Sequence, residues 1–290
     1  MEKKLAVIVL NYRNYQDTID CVESLLNQDY RHCNIVIVEN GSKNESFNVL
    51  QNIFGTIENI KILKTEKNLG FAKGNNLGIL YAKNTLQCRY IFILNNDTIL
   101  TANNILSQLM VDQLPNVALV SPILIGNDGK QIIGHNWEKN RIVINTIIAI
   151  AYTMFQLMPA NIKENFIKIK RKICKQKRMD SSENTFKQNQ YQIQGAAFLL
   201  TPVFFNYYKI LYPRTFLYCE EINMSWYLHK AKLSTMVINT NIIFHKEAKS
   251  TTDTIIKMKT KLVMNSFLKS IIMYFSSYEQ IIKNFSENKD

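Results

Sequence analysis

Across the first 125 residues, short β-branched apolar runs alternate with stretches in which apolar positions recur at helical spacing. The runs at 6–10, 34–38, 60–63, 90–94 and 117–120 predict strands. The stretch at 17–27, with Ile19, Val22, Leu25 and Leu26 on one stripe, predicts a helix, and 71–82 and 104–111 behave alike. Such alternation is expected of an open parallel sheet wrapped by helices, an α/β fold.

Polar clusters follow the strands. Asn11-Tyr12 follows the first, Glu39-Asn40-Gly41-Ser42 the second, Asn68-Leu69-Gly70 the third and Asn95-Asn96-Asp97 the fourth. All lie at the carboxyl ends of the expected parallel strands, where open α/β sheets form their ligand crevice.

Beyond Pro122 the pattern loosens. Asn127-Asp128-Gly129 signals a turn, and 138–190 reads as an insertion within a main domain of residues 1–250. Regularity returns with a strand and turn at 194–200, a helix at 220–231, and two short strands at 236–239 and 242–245. From 257 onward, Leu262, Phe267, Ile271, Tyr274 and Phe275 predict helix, so 251–290 is expected to be a C-terminal helical appendage.

Composition changes this picture in one place. The net charge is +12, and eight basic residues against one acid, Glu164, fall between Lys163 and Arg178. This basic stretch directly follows an apolar one at 142–158, which is interrupted by Asn145, Thr146, Tyr152, Thr153 and Gln156 and is too short for a spanning helix. An apolar-then-basic order suits an anionic membrane surface better than nucleic acid, because Lys-dominated charge in one insert lacks an aromatic or Arg-rich readout surface. A solvated helix is the plainer alternative. The 5 Cys are scattered without a Cys-x-x-Cys pair, and the apolar run at 5–10 is too brief for a signal peptide, so a reducing cytosol is expected.

Several residues could carry chemistry. Gly70, Gly74 and Gly78 are spaced Gly-x-x-x-Gly-x-x-x-Gly, which is neither a dinucleotide fingerprint nor a P-loop. The stretch around them could equally be a capped helix start. Asp97 stands where a hard divalent cation is commonly held, although a strand-end Asp also caps helices and forms turns. Glu220 and Glu221 open a helix pointing in different directions. One of them is a candidate general base, and the other reading is a favourable interaction with the helix dipole. His245, with Lys246 beside it, could complete a metal or phosphate site or be structural.

Val7-Ile8-Val9-Leu10-Asn11-Tyr12, Ile37-Val38-Glu39-Asn40-Gly41-Ser42, Asn68 to Asn76, Leu94-Asn95-Asn96-Asp97-Thr98, Gly195-Ala196-Ala197 and Phe216 to Trp226 together resemble the ordered motifs of family 2 glycosyltransferases, particularly the rhamnosyltransferase-like branch. The resemblance runs in family order across most of the chain. It implies a GT-A fold, an inverting transfer from a nucleoside-diphosphate sugar (dTDP or UDP) and a divalent cation, Mg²⁺ or Mn²⁺. It also implies roles. Asn11 and Glu39 would hold the nucleoside, with Tyr12, Asn96 and Gly195 beside them. Asn68, Gly70, Gly74, Asn75 and Asn76 would frame the donor pocket. Asp97 would bind metal as the end of a D-x-D-like motif, His245 would join it, and Glu221 would be the base with Glu220 as the fallback.

The chain departs from the family pattern at Glu39 and Glu221, where Asp is usual, and at Asn223, where a further Asp often sits. The acceptor implied is a hydroxyl of a glycan or lipid-linked glycan in cell-surface polysaccharide synthesis. The alternative is a carbohydrate-binding or assembly module that has lost turnover.

Overall fold

In a computed structural model, which describes residues 4–110, 115–132, 194–246, 262, 265–266 and 268–286, the expected strands form and extend by a residue or more at most of their ends. They are β1 (Leu5–Asn11), β2 (Cys33–Glu39), β3 (Ile60–Lys64) and β4 (Tyr90–Asn95). β1 pairs in parallel with both β2 and β4, and β2 with β3. Val7, Ile8 and Val9 are fully buried, as are Val36, Ile37 and Val38, because helices cover both faces of this half of the sheet.

α1 (Tyr15–Leu26) and α2 (Ser46–Phe54) follow β1 and β2. The Asn14 side chain accepts the Asp17 N–H at the start of α1. α2 has no counterpart in the periodicity reading. α3 (Gly70–Asn84) follows β3, and its glycines explain their own spacing. A Cβ at Gly74 would lie 2.6 Å from Leu10, and one at Gly78 2.5 Å from Ile8, so the repeat lets α3 lie close against β1.

Past β4 the sheet is mixed. β5 (Thr98–Leu100) is a short strand unforeseen in the sequence, followed by α4 (Ile105–Leu109), β6 (Val117–Ile125) and β7 (Gln131–Ile132). Then come β8 (Ala197–Leu200), α5 (Pro202–Phe205), α6 (Glu220–Lys230), β9 (Ser234–His245) and α7 (Tyr278–Ser286). Among the described residues the strand order is β3-β2-β1-β4-β8-β6-β9-β5, with β7 on β6. β8 runs antiparallel to β4 and β6, and β5 antiparallel to β9, while β9 runs parallel to β6, so this half mixes both directions where the first half is all parallel. The two short strands expected at 236–239 and 242–245 are one strand, β9, whose pairing with β6 carries through the polar Asn239-Thr240-Asn241 interruption by means of irregular register.

The C-terminal helical expectation is met by residues 268–275 and by α7. Trp226 of α6 stacks edge-on against Tyr274 at 4.5 Å, and Phe285 of α7 meets Tyr208 at 5.0 Å. The insertion at 138–190, with its apolar and basic segments, lies outside the described residues. No helix among the described residues is long and apolar enough to cross a membrane.

Candidate active site

Parallel registry brings the first polar clusters together. Asn11 is paired with Glu39, and Leu10 with Asn95. Asn11 and Glu39 are both fully buried. Asn11 Oδ1 accepts from Thr18 Oγ1 at 2.7 Å, and Glu39 Oε1 accepts the Ser42 N–H at 2.8 Å. Asn11 Nδ2 and Glu39 Oε2 have no protein partner. A buried donor and a buried acceptor left open at one registry position are what a polar ligand would satisfy. Tyr12 stands exposed next to them, its ring under the Arg13 guanidinium.

Asn68 and the residues after it fold onto the side chain of Asn40. Asn40 Nδ2 donates to Asn68 Oδ1 and to the Gly70 carbonyl, and Asn40 Oδ1 accepts the Leu69 N–H at 2.9 Å. Asn68 Oδ1 also accepts the Gly70 N–H. Gly70 has φ +80, and a Cβ there would lie 2.1 Å from the Phe216 carbonyl oxygen, so only glycine fits. Asn76 is turned away from the strand ends. Its amide donates to the Leu211 carbonyl and accepts the Leu211 N–H, tying α3 to the chain ahead of α6. Asn75 is fully buried and donates to the Phe71 carbonyl, while its Oδ1 has no partner.

The turn between β4 and β5 carries Asn96 and Asp97. Asn96 donates to Thr18 Oγ1 and to the Asn14 carbonyl, which fixes the turn against α1. Thr98 pairs with His245 across β5 and β9. As a result Asp97 Oδ1 lies 3.2 Å from His245 Nε2, with side chains 17% and 18% exposed. Lys246 reinforces this corner. Its N–H donates to the Asp97 carbonyl, and its ammonium lies 2.9 Å from Asp17 and 2.6 Å from Asp20 of α1. Burial acts to lower the Lys246 pKa, but Asp17 and Asp20 outweigh it and raise it, while the Asp20 carboxyl is lowered chiefly by Lys246. No group of three or more His, Cys, Asp or Glu that could hold a metal is found among the described residues. The Asp97 carboxylate suits a hard divalent cation that takes its other ligands from substrate phosphates and water, and the His245 imidazole would add a softer nitrogen donor.

The two glutamates opening α6 separate sharply. Tyr218 and Cys219 just before the helix have φ of 73° and 65°, a strained pair of left-handed residues that sets the direction in which α6 starts. Glu221 Oε1 accepts the Gly195 N–H at 3.2 Å, and a Cβ at Gly195 would lie 2.4 Å from that oxygen. Ala196, the next residue, accepts the Asn95 N–H, so Glu221 is held one strand away from the Asp97 turn. Burial raises the Glu221 carboxyl above its ordinary range, against hydrogen bonds from its own N–H and that of Gly195. Glu220 faces a small cavity shared with Phe71, Thr215 and Asn223. Its carboxyl is pushed up to about 7, first by burial and then by the charge of Glu221. Glu220 Oε1, Thr215 Oγ1 and both amide atoms of Asn223 lack partners there. Thr215 carried no signal in the sequence beyond its place next to the Phe216 to Trp226 motif, and Asn40 stood within the Glu39-Asn40-Gly41-Ser42 cluster without a role of its own.

The sequence profile of glycosyl transferase family 2 matches residues 6–176, more than half of the chain. Glycosyltransferase GlyG of Streptococcus pneumoniae serotype 4 is 30% identical over 105 residues, which cover 36% of this chain and 34% of that protein. The low-salt glycan biosynthesis hexosyltransferase Agl10 of Haloferax volcanii is 24% identical over 125 residues, 43% of this chain and 38% of its own. The chain thus spans little more than a third of the length of these curated relatives. Among solved structures, the mannosyltransferase PcManGT of Pyrobaculum calidifontis, in complex with GDP-Man and Mn²⁺, aligns over 98% of this chain and 69% of its own, with a TM-score of 0.59 at 11% identity. GalNAc-T7, solved with UDP, GalNAc and Mn²⁺, aligns over 95% of this chain and 49% of its own, with a TM-score of 0.62 at 11% identity. The fold is that of GT-A glycosyltransferases. From the profile match, the chain belongs to glycosyl transferase family 2.

Proposed function

We propose that this chain is a metal-dependent, inverting transferase of the rhamnosyltransferase-like branch. It moves a hexosyl or rhamnosyl group from a dTDP- or UDP-sugar to a hydroxyl of a glycan or lipid-linked glycan in cell-surface polysaccharide synthesis. The observation that carries this reading is the pairing of Asp97 with His245 at 3.2 Å, one strand from a separately held, half-buried carboxylate, Glu221. In this reading the cation site on the phosphate side and the base are separate groups, one serving the leaving diphosphate and the other the attacking hydroxyl.

Asn11 and Glu39 offer their open polar atoms to the nucleoside. Asn40 and Asn68 hold the loop at Leu69-Gly70 against which the donor lies. Asp97 and His245 would hold Mn²⁺ or Mg²⁺, which when bound supplies charge neutralisation to the departing nucleoside diphosphate. Glu221, raised by burial, takes the proton of the acceptor hydroxyl as its oxygen bonds to the anomeric carbon and the bond from that carbon to the diphosphate breaks. Attack from the face opposite the leaving group inverts the anomeric configuration. Residues 1–250 form the transferase in this reading, and 251–290 its appendage. The insert at 138–190 seats the enzyme on the inner face of an anionic membrane.

A thermal-shift panel of UDP, dTDP, GDP and CMP with Mn²⁺, Mg²⁺ or EDTA tests the donor site. One nucleotide should stabilise the wild type only with metal, by roughly 2.7 kcal/mol at about 100 times its dissociation constant, and not Asp97→Ala. A well-folded wild type that no nucleotide stabilises would instead favour the non-catalytic module. For the insert, replacing Lys170, Arg171, Lys172 and Lys175 by Gln should reduce sedimentation with anionic liposomes, and unchanged sedimentation would remove that role.

A further inference from the structure

The turn that opens α6 is gripped by the C-terminal helical segment. Ser266, Lys269 and Ser270, spaced i, i+3 and i+4, share one helical face, and Ser270 Oγ donates to the Ser266 carbonyl at 3.1 Å. Each reaches a different point of 214–219. Ser266 Oγ donates to the Leu217 carbonyl at 2.8 Å, the Lys269 ammonium donates to the Arg214 carbonyl, and Ser270 is hydrogen-bonded to the Cys219 thiol. Ser266 and Ser270 are only 3% and 2% exposed. A face that served packing alone would be apolar there, whereas these buried hydroxyls are directed at the turn.

What they hold is strained. Tyr218 and Cys219 have φ of 73° and 65°, and such residues persist only where the surroundings over-determine them. The Cys219 side chain makes no cap to α6, the helix it precedes, and turns to Ser270 instead. On its other side the segment meets α3, where the Phe216 carbonyl accepts the Phe71 N–H at 2.8 Å. Farther along the C-terminal segment, Tyr274 stacks on Trp226 and the Ser276 carbonyl accepts from the Lys230 ammonium, so the same segment follows α6 to its end.

Glu220 and Glu221 come directly after the strained pair, so whatever fixes Tyr218 and Cys219 fixes the direction of both carboxyl groups. We propose that Ser266, Lys269 and Ser270 are positioning residues: by holding the 214–219 turn they aim Glu221 at the Gly195 N–H and Glu220 into its cavity. That this aim serves an attacking hydroxyl rests on the transferase reading. The hold on the turn does not.

Cys219 reports that hold without an assay of transfer. Burial first, then the charges of Glu220 and Glu221, push its thiol up to about 12, so iodoacetamide should alkylate it slowly while the turn is held. The test follows Cys219 alkylation by peptide mass spectrometry, alongside kcat and donor KM, on the full chain. The proteins are the wild type, Ser266→Ala/Lys269→Met/Ser270→Ala, Lys269→Met, Lys269→Arg, and Lys230→Met, which removes only the tie at the far end of α6. In the triple variant alkylation should be about tenfold faster and kcat about a hundredfold lower, with donor KM within about threefold and nucleotide-dependent thermal stabilisation intact. Lys269→Met, a milder change, should move both readouts the same way by about threefold, Lys269→Arg should restore them, and Lys230→Met should move neither. Wild-type alkylation of Cys219 in the triple variant overturns the hold. Faster alkylation with kcat unchanged, or with the loss confined to donor KM, overturns the positioning. If the wild type transfers no sugar while Cys219 is protected, and the triple variant releases it, the transferase reading fails and the hold stands, so the two failures are distinguishable.

Discussion

The two halves of the sheet build their share of the site by different means. In the parallel half, β3-β2-β1-β4, positions follow from strand registry and buried amides: Asn11 faces Glu39 because β1 and β2 are in register, and Asn40 locks the Asn68-Leu69-Gly70 loop with uncharged hydrogen bonds. In the mixed half, Asp97 meets His245 through an antiparallel pairing, Lys246 fixes the corner by ion pairs, and Glu221 is aimed by two strained residues and a close glycine. Registry is insensitive to any single side chain, whereas ion pairs and strained turns concentrate their effect in few atoms. The half proposed to bind should thus respond to mutation through stability, and the half proposed to react through rate.

The sharpest test of that contrast is Glu221→Gln, expected to lower kcat by a factor of about 10²–10⁴ with nucleotide-dependent stabilisation intact. Near wild-type turnover would take the base role away from Glu221. Gly195→Ala comes next. Its Cβ would meet the Glu221 carboxylate at 2.4 Å, and displacing that group by about an ångström should cost about a hundredfold in kcat with little change in thermal midpoint. In the other half, Asn40→Ala leaves the Leu69 N–H without its acceptor and should cost about 2 kcal/mol, seen as a thermal midpoint lower by several degrees. If Asn40→Ala instead lowered kcat at unchanged stability, the contrast would fail.

Smaller effects sharpen the picture. Lys246→Met releases the corner from Asp17 and Asp20, and the Mn²⁺ concentration for half-maximal thermal stabilisation with nucleotide should rise about tenfold, with Lys246→Arg restoring most of it. The smallest concerns Glu220, whose carboxyl lies at about 7 in the fold against an ordinary 4.5. The folded state holds the proton where the unfolded chain has lost it, so stability falls as pH rises from about 4.5 to about 7. Glu220→Gln should flatten that slope in a series of thermal midpoints against pH.

Much of the parallel half was legible in the sequence, because apolar runs and helical periodicity are local signals and the polar residues after each strand fall where such sheets end. The Gly70, Gly74, Gly78 spacing matches no phosphate-loop pattern, and its use in seating α3 on Leu10 and Ile8 shows only in the packed neighbours. The mixed half was less legible. Polar Asn239-Thr240-Asn241 hid the continuity of β9, and the antiparallel returns of β8 and β5 depend on pairings far apart in sequence. The direction of Glu220 and Glu221 rests on positive φ at Tyr218 and Cys219, residues whose types give no hint of it.

Lys246 gives the site a history as well as a geometry. Synthesis proceeds from the N-terminus, and early segments begin to fold first. When the ribosome has released the chain through β4, Asn11, Glu39 and Asn40 can already find their partners, while Asp97 waits for a histidine and a lysine well over a hundred codons downstream. During that interval Asp17 and Asp20 lack the cation that later neutralises them. A nascent chain therefore acquires its buried amide cluster before its Asp97–His245 corner, and translation itself keeps the two apart in time.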